Sequence, residues 1–281
     1  MTSSDAPLGV FDSGLGGLTV VHALSQALPG EHIVYLGDTA RVPYGTRSAE
    51  TVVRYARGCA KVLTARGVKA LVIACNTVSA VALEILRAEL DLPVIGVVEP
   101  GALAAVEVAE AEAKRRGVPV KIGVLGTQGT ILSGAYPRAV SQISTRVEVV
   151  GQAAPLLVPL VEEGWLEGEV PELAVQRYLE PLMAQGAGVI VLGCTHYPLL
   201  APVIAHVARA LTGERVPIVD SAVATAREVA RLIAEGRIAP AGPSDAPRLE
   251  VLVTDRPRSF ADVASRFLGE RAPGVEQIDL A

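Results

Sequence analysis

Apolar and polar positions along the chain switch between two periods, and that alternation predicts most of the fold. Short, β-branched apolar runs at 8–11, 32–36, 70–74, 93–97, 121–125, 147–151, 189–192, 217–219 and 249–253 have the length and composition of buried strands. Longer segments with helical spacing lie between them. In 78–90, Val78, Val81, Ala82, Ile85 and Leu86 fall on one face. Further helices are expected at 51–66, 221–235 and 259–267. Strands alternating with amphipathic helices predict right-handed βαβ crossovers and mostly parallel sheets, so the fold class is α/β.

An internal echo divides the chain. LVIACNT at 71–77 aligns with IVLGCTH at 190–196: apolar or small residues, then Cys, then two polar residues. Upstream, GVFDSG at 9–14 pairs with GVLGTQG at 123–129 at nearly the same separation. Two similar α/β domains follow from this. The first is expected to comprise residues 1–98 with 214–281 and to carry Cys75. The second, 99–213, carries Cys194. Segment 98–105 is the crossover, the return lies near 215–217, and the Pro/Ala/Gly/Ser-rich stretch 240–247 is a surface loop.

Composition narrows the class. Half of the 281 residues are hydrophobic and 4% are aromatic, so Val, Leu, Ile and Ala must build the core. The net charge is −5 with basic residues scattered, which leaves no basic stripe for nucleic acid. The opening MTSSDAPLGVFDSG does not read as a signal peptide, and runs such as ALVIAC and VIVLGC are far too short to span a membrane. Three cysteines, an odd count, argue against a disulfide framework and for a reducing cytoplasm. No C-x-x-C or H-E-x-x-H occurs, so no metal site is expected.

The candidate chemistry gathers at strand ends. Cys75 and Cys194 each follow a buried strand and precede a helix, where open α/β sheets bind ligands. Helix N-termini there favour thiolate. A lone cysteine is most often a small buried apolar residue, as Cys59 inside the 51–66 helix should be. Two cysteines at equivalent places in two related halves are a different matter. Asn76 and Thr77, like Thr195 and His196, can cap or donate. DSGLGG at 12–17 lets backbone N–H groups approach an anion, with Asp12 placed to accept from an ammonium or steer a thiol. It is neither a Walker loop nor a full G-x-G-x-x-G. GDTARVPYG at 37–45 supplies the rigid turn Pro43-Tyr44-Gly45 and an acid, Asp38, that reads equally as a turn cap. Thr127 and Thr130 offer hydroxyls at the matching mouth, and Glu162 reads as a surface acid or a site carboxylate.

If both thiols face one cavity, the pair suits inversion of a stereocentre. One sulfur takes an α-proton from one face while the other delivers a proton to the opposite face. Backbone and hydroxyl donors would hold the carboxylate of an amino acid and stabilise the carbanion.

FDSGLGG (11–17), PYG (43–45), ACNT (74–77) and GCTHYP (193–198), in this order, closely resemble the aspartate/glutamate racemase superfamily, and within it the members that act on glutamate. The resemblance extends through PVIGVVEPG (93–101) and GVLGTQGTILSGAY (123–136). It implies an active site between two α/β domains and neither pyridoxal phosphate nor metal. It further implies Cys75 and Cys194 as proton donor and acceptor, with Asp12 helping Cys75 and His196 helping Cys194. Ser13, Pro43, Tyr44, Gly45, Asn76, Thr77, Thr127, Thr130, Thr195 and His196 would then bind substrate, and Asp38 and Glu162 match further acidic positions. The implied role is conversion of L- to D-glutamate for peptidoglycan, by a cytoplasmic protein that some relatives would match as a homodimer. Val78, where the family often has Ala, and the variable stretch after Leu268 are the departures. Rival readings are an aspartate racemase of the same superfamily, a Cys-His hydrolase with Cys194 as nucleophile, and an anion-binding module built on DSGLGG.

Overall fold

The computed structural model describes residues 6–242, 249–255, 260–269 and 274–280. The central apolar runs, such as those that form Leu8–Asp12, Ile33–Gly37, Ala70–Ile73 and Ala187–Gly193, become strands because their side chains are buried on both faces, and each is followed by a helix. In chain order the elements are β1 (Leu8–Asp12), α1 (Leu18–Ala27), β2 (Ile33–Gly37), α2 (Ala49–Ala65), β3 (Ala70–Ile73), α3 (Asn76–Glu89) and β4 (Val94–Gly96). There follow α4 (Val98–Arg116), β5 (Lys121–Gly126), α5 (Gln128–Leu132), α6 (Ala135–Ile143), β6 (Val149–Ala153), α7 (Leu157–Glu162), α8 (Glu169–Ala184) and β7 (Ala187–Gly193). The chain ends through α9 (Ala201–Thr212), β8 (Ile218–Asp220), α10 (Ser221–Ala234), β9 (Leu249–Val253), α11 (Phe260–Leu268) and β10 (Val275–Gln277).

These strands form two sheets. A six-stranded sheet has the order β10-β9-β2-β1-β3-β4, and a four-stranded sheet the order β6-β5-β7-β8. Every pairing among the described residues is parallel. In both sheets the cysteine-bearing strand lies beside the strand that opens its unit: β3 beside β1, and β7 beside β5. The carboxyl ends of all four therefore carry the sequence echoes. Helix α10 packs on α1 of the larger unit and α4 of the smaller, and one apolar cluster runs from Leu18 and Val20 through Val229 to Leu192 and Ile204.

All nine expected strands are present, displaced by a residue or two: the run at 32–36 forms Ile33–Gly37 and that at 147–151 forms Val149–Ala153. The segment expected as a crossover, 98–105, is the first part of the 19-residue α4. Its positions Ala102, Ala105, Val106 and Ala109 are buried, and Gly117, at φ +72°, ends it in the left-handed region glycine favours. Strand β10 was not expected; only one of its three residues is apolar. Of the expected surface loop, 243–247 lies outside the described residues, as does Ser259, the expected start of the last helix. Cys59 is fully buried within α2, as packing requires. No helix among the described residues is long and apolar enough to cross a membrane.

Candidate active site

The two thiols sit on one cavity. Its volume is about 330 Å³, within the range of small-molecule sites. Cys75 is the N-cap residue of α3, and Cys194 follows the last residue of β7 directly; each is 6% exposed. The loop after β1 contributes Ser13 and Gly14, the loop after β2 contributes Val42 to Thr46, and α3 begins with Asn76 and Thr77. The facing wall consists of Thr127 and Gln128, then Pro155, Val158, Pro159 and Glu162, and lastly Thr195 and His196. A larger cleft, about 680 Å³, is lined by Arg87, Val94, Glu99, Ile143 and Arg231, but it holds neither a thiol nor a histidine. Both thiols and His196 lie on the smaller one.

The mouth loops are held in place by buried hydrogen bonds. Tyr35 Oη donates to Gly14 O at 2.7 Å, fixing the loop after β1. Thr19 Oγ1 donates to Thr195 O at 3.1 Å, linking the two units. Gly16 also lies at this seam, where an added Cβ would collide with Thr195 and His196. Tyr197 Oη donates to Ala154 O at 2.7 Å, anchoring the turn after Cys194. On the opposite lip, Gly129 N–H donates to Gly45 O at 2.9 Å. Thr77, Thr127 and Thr130 share their hydroxyls at 2.8 to 3.3 Å. Thr130 is thus consumed in the seam and does not line the cavity.

Asn76 is the donor left open. Its Oδ1 accepts from Tyr136 Oη at 2.8 Å, which turns the amide so that Nδ2 is buried without a protein partner. An unsatisfied buried amide N–H is costly unless a ligand completes it. A carboxylate would do so.

Behind each sulfur stands a different proton-handling group. Cys75 Sγ lies 3.5 Å from Ser13 Oγ. Burial pushes its thiol up to about 12, and the Asp12 charge adds to this; the Ser13 hydroxyl and the Val78 backbone N–H at the helix start oppose both. The helix end therefore acts in the expected direction but does not prevail. Asp12 is 1% exposed and lies behind the wall, with Oδ2 accepting from Gly14 N–H at 3.1 Å and Oδ1 unpaired. Burial raises its carboxyl, opposed by the His196 charge and the backbone N–H groups of Gly17, Gly14 and Ser13.

Cys194 Sγ lies 3.9 Å from His196 Nδ1, and His196 Nε2 lies 3.1 Å from Glu162 Oε1. Burial works against the imidazolium, but the hydrogen bonds to Cys194 and Glu162 outweigh it and lift His196 to about 10. Helix α7 brings Glu162 to the rim, half exposed, so the surface acid and the site carboxylate are one residue.

Asp38 occupies a third position, 0% exposed beneath the loop after β2. Arg41 Nε donates to its Oδ2 at 2.6 Å, Thr254 Oγ1 to its Oδ1 at 2.8 Å, and the Tyr44 hydroxyl makes a short hydrogen bond to Oδ2. It anchors Tyr44 and does not reach the cavity. Sequence reasoning missed Val42, Thr46, Gln128 and the α7 wall of Pro155, Val158 and Pro159. Two prolines within five residues hid that short helix; only its place after a parallel strand, at a sheet's carboxyl end, could have marked it.

Residues 9–229 match the family model described as Asp/Glu/Hydantoin racemase. The chain is 48% identical to a glutamate racemase of Geobacter metallireducens over 97% of its own length and 96% of the relative's. Among solved structures, a glutamate racemase of Bacillus anthracis matches with TM-score 0.89 and 37% identity, covering 99% of each chain. One from Francisella tularensis, solved in complex with D-glutamate, matches with TM-score 0.88 and 33% identity, again over 99% of each chain.

Proposed function

The chain belongs to the Asp/Glu/Hydantoin racemase family, and from that premise we propose that it interconverts L- and D-glutamate with two thiols and no cofactor. The observation that carries this reading is the pair of buried cysteines, Cys75 and Cys194, on one cavity that also presents hydroxyls, amides, an imidazole and the Glu162 carboxylate among apolar side chains. Glutamate enters with its α-carbon between the sulfurs. A thiolate on one side takes the α-proton, so that a C–H bond breaks and an S–H bond forms. The opposite thiol delivers its proton to the other face, so that an S–H bond breaks and a C–H bond forms. The carboxylates meet Asn76 Nδ2, the Ser13 and Thr195 hydroxyls and the backbone near Gly45, donors that stabilise the carbanion between the two transfers.

Each turnover leaves the thiol and thiolate exchanged, and the pair must reset before the same enantiomer can react again. Asp12 and His196 suit that task. Asp12, raised by burial, is a local proton carrier for Cys75. His196, protonated up to about pH 10, is the counterion that a Cys194 thiolate needs, and Glu162 holds it in place. Cys75, pushed up to about 12, is the resting proton donor. The ammonium group of arriving glutamate is the charge that makes it a base when the reaction runs the other way.

The division into 1–98 with 214–281 and 99–213 is part of the same reading; it is supported by sheets that take their strands from 8–96 with 249–277 and from 121–220, although β8 (Ile218–Asp220) pairs with β7 and so goes with the second unit. So is a cytoplasmic setting, supported by three free cysteines, and a role supplying D-glutamate to peptidoglycan. A homodimer is supported by Leu156, Trp165, Val170 and Leu173, exposed apolar residues along α7 and α8; sedimentation of the pure protein tests it.

The enzymatic test is chiral analysis of L-glutamate and L-aspartate incubated with reduced protein and no added cofactor. D-glutamate should accumulate with little D-aspartate, and Cys75→Ala and Cys194→Ala should each lower the rate by about 10³-fold or more. Full turnover by either variant overturns the two-thiol scheme.

A further inference from the structure

Helix α11 follows β9 of the six-stranded sheet, yet two of its adjacent residues reach the proton relay of the other unit. Arg266 Nη1 donates to the carbonyl oxygens of Val161, at 3.5 Å, and of Glu162, by a short hydrogen bond. These are the final carbonyls of α7, where intrahelical partners run out and a cation is favoured. Gly164 makes room for this. It sits at φ +80°, and a Cβ there would stand 2.9 Å from the guanidinium carbon. One residue on, the Phe267 ring meets the His196 imidazole edge-on, centroids 5.0 Å apart at 79°. Phe267 is 3% exposed. One helix of one unit thus contacts both members of the His196–Glu162 pair that backs Cys194.

We propose that Arg266 and Phe267 are positioning residues for the Cys194 half of the reaction, locking the end of α7 and the His196 ring in the geometry that moves protons to and from Cys194. The proposal rests on the glutamate racemase reading. Neither side chain lines the cavity, so they act through Glu162 and His196 and not on substrate. Slowing proton traffic at Cys194 has a signature that general damage lacks. For the enantiomer whose α-proton goes to Cys194, removal becomes more rate-limiting and the primary isotope effect on kcat/KM rises. For the other enantiomer, delivery by Cys194 becomes limiting, the intermediate returns more often, and the isotope effect falls.

The experiment compares R266Q, R266K and F267L with the unmutated enzyme, using L- and D-glutamate carrying hydrogen or deuterium at the α-carbon. R266Q should lower kcat about tenfold with KM within about twofold, the size of a lost charge-assisted hydrogen bond, and should split the two isotope effects in opposite directions. R266K should recover most of the rate by restoring a cation at the helix end. F267L, close in volume, should produce the same split more weakly, and it decides the matter if R266Q does not fold. Imidazole NMR supplies a readout independent of turnover. With four histidines in the chain, R266Q should move the His196 signals and leave those of His32 and His206, which do not line the cleft that holds Arg266, in place. Isotope effects unchanged for both enantiomers, with or without a fall in rate, overturn the proposal, as does an unmoved His196 signal. An unmutated enzyme that races through no glutamate at all, with a His196 signal that responds to R266Q, would instead overturn the substrate reading and keep the latch.

Discussion

Cys75 and Cys194 occupy matching places, yet their surroundings differ. Both are equally buried, and both follow a central parallel strand whose neighbour opens its unit. Cys75 then caps the 14-residue helix α3 and has only a buried carboxyl behind it. Cys194 leads into a short 3-10 turn, Tyr197–Leu200, and has an imidazole–carboxylate pair behind it. Duplicated topology places the sulfurs, while the side chains that surround them are not duplicated. A symmetric reaction needs two faces of attack, not two identical environments.

Substitutions behind each sulfur should break this comparison unequally. The largest effect is expected from His196→Asn, which removes the cation beside Cys194 and should lower kcat by about 10²-fold in both directions. Asp12→Asn should cost less, about tenfold, because an amide oxygen still accepts from Gly14 N–H and only the proton carrier is lost. Steady-state rates from both enantiomers at one pH give the ranking, and a larger loss in Asp12→Asn than in His196→Asn would reverse the assignment of the charged side. Asn76→Ala serves both halves alike. It should raise KM about tenfold, the worth of one charge-assisted hydrogen bond to a carboxylate, with a smaller change in kcat. A KM that does not move would take the open Nδ2 out of the substrate site.

The smallest effect concerns stability. His196 is lifted from 6.5 to about 10 in the folded protein, so the stabilisation from its protonation is fully present below pH 6.5 and is lost as the pH rises through about 10. Glu162 is half exposed and solvent screens its share. Relative to His196→Asn, the unmutated protein should therefore lose only about 2 °C of its Tm advantage across that interval. Thermal melts of the two at pH 6 and pH 10 measure it; parallel curves would show that the pair contributes nothing.

The sequence reveals the strands and the thiols for one physical reason. A parallel strand buried on both faces needs an uninterrupted apolar run, and its end is then visible as the first polar or reactive residue, as with ALVIAC and VIVLGC. Thr127, Tyr44 and His196 were legible because they lie within a few residues of such ends. The α7 wall was not: Pro155 and Pro159 interrupt its pattern, and nothing local says that it folds over the site. Strand β10 escaped because an edge strand of three residues needs no apolar run. The third partner of Asp38 was invisible too, since Thr254 is more than two hundred residues away in the chain. Arg266 and Phe267 share that difficulty, for their meaning depends on which unit α11 falls against. Asp12, Asp38 and Thr130 were legible as site residues, but they stand behind the wall and hold it.

The strand order of the larger sheet also governs when the protein becomes competent during its own synthesis. β9 lies beside β2 near the middle of that sheet, and Thr254 just beyond it both accepts from Ala40 N–H at 2.9 Å and donates to Asp38. A nascent chain emerging from the ribosome can close the four-stranded sheet, whose last strand ends at Asp220, before residue 249 appears. Until then Asp38 lacks Thr254, and the loop bearing Tyr44 has lost part of its anchor. That loop therefore gains its last anchor late, although it is written among the first fifty residues. Chaperones and proteases would meet a folded smaller unit with Cys194 already in place and an open sheet edge in the larger unit waiting for its final strands.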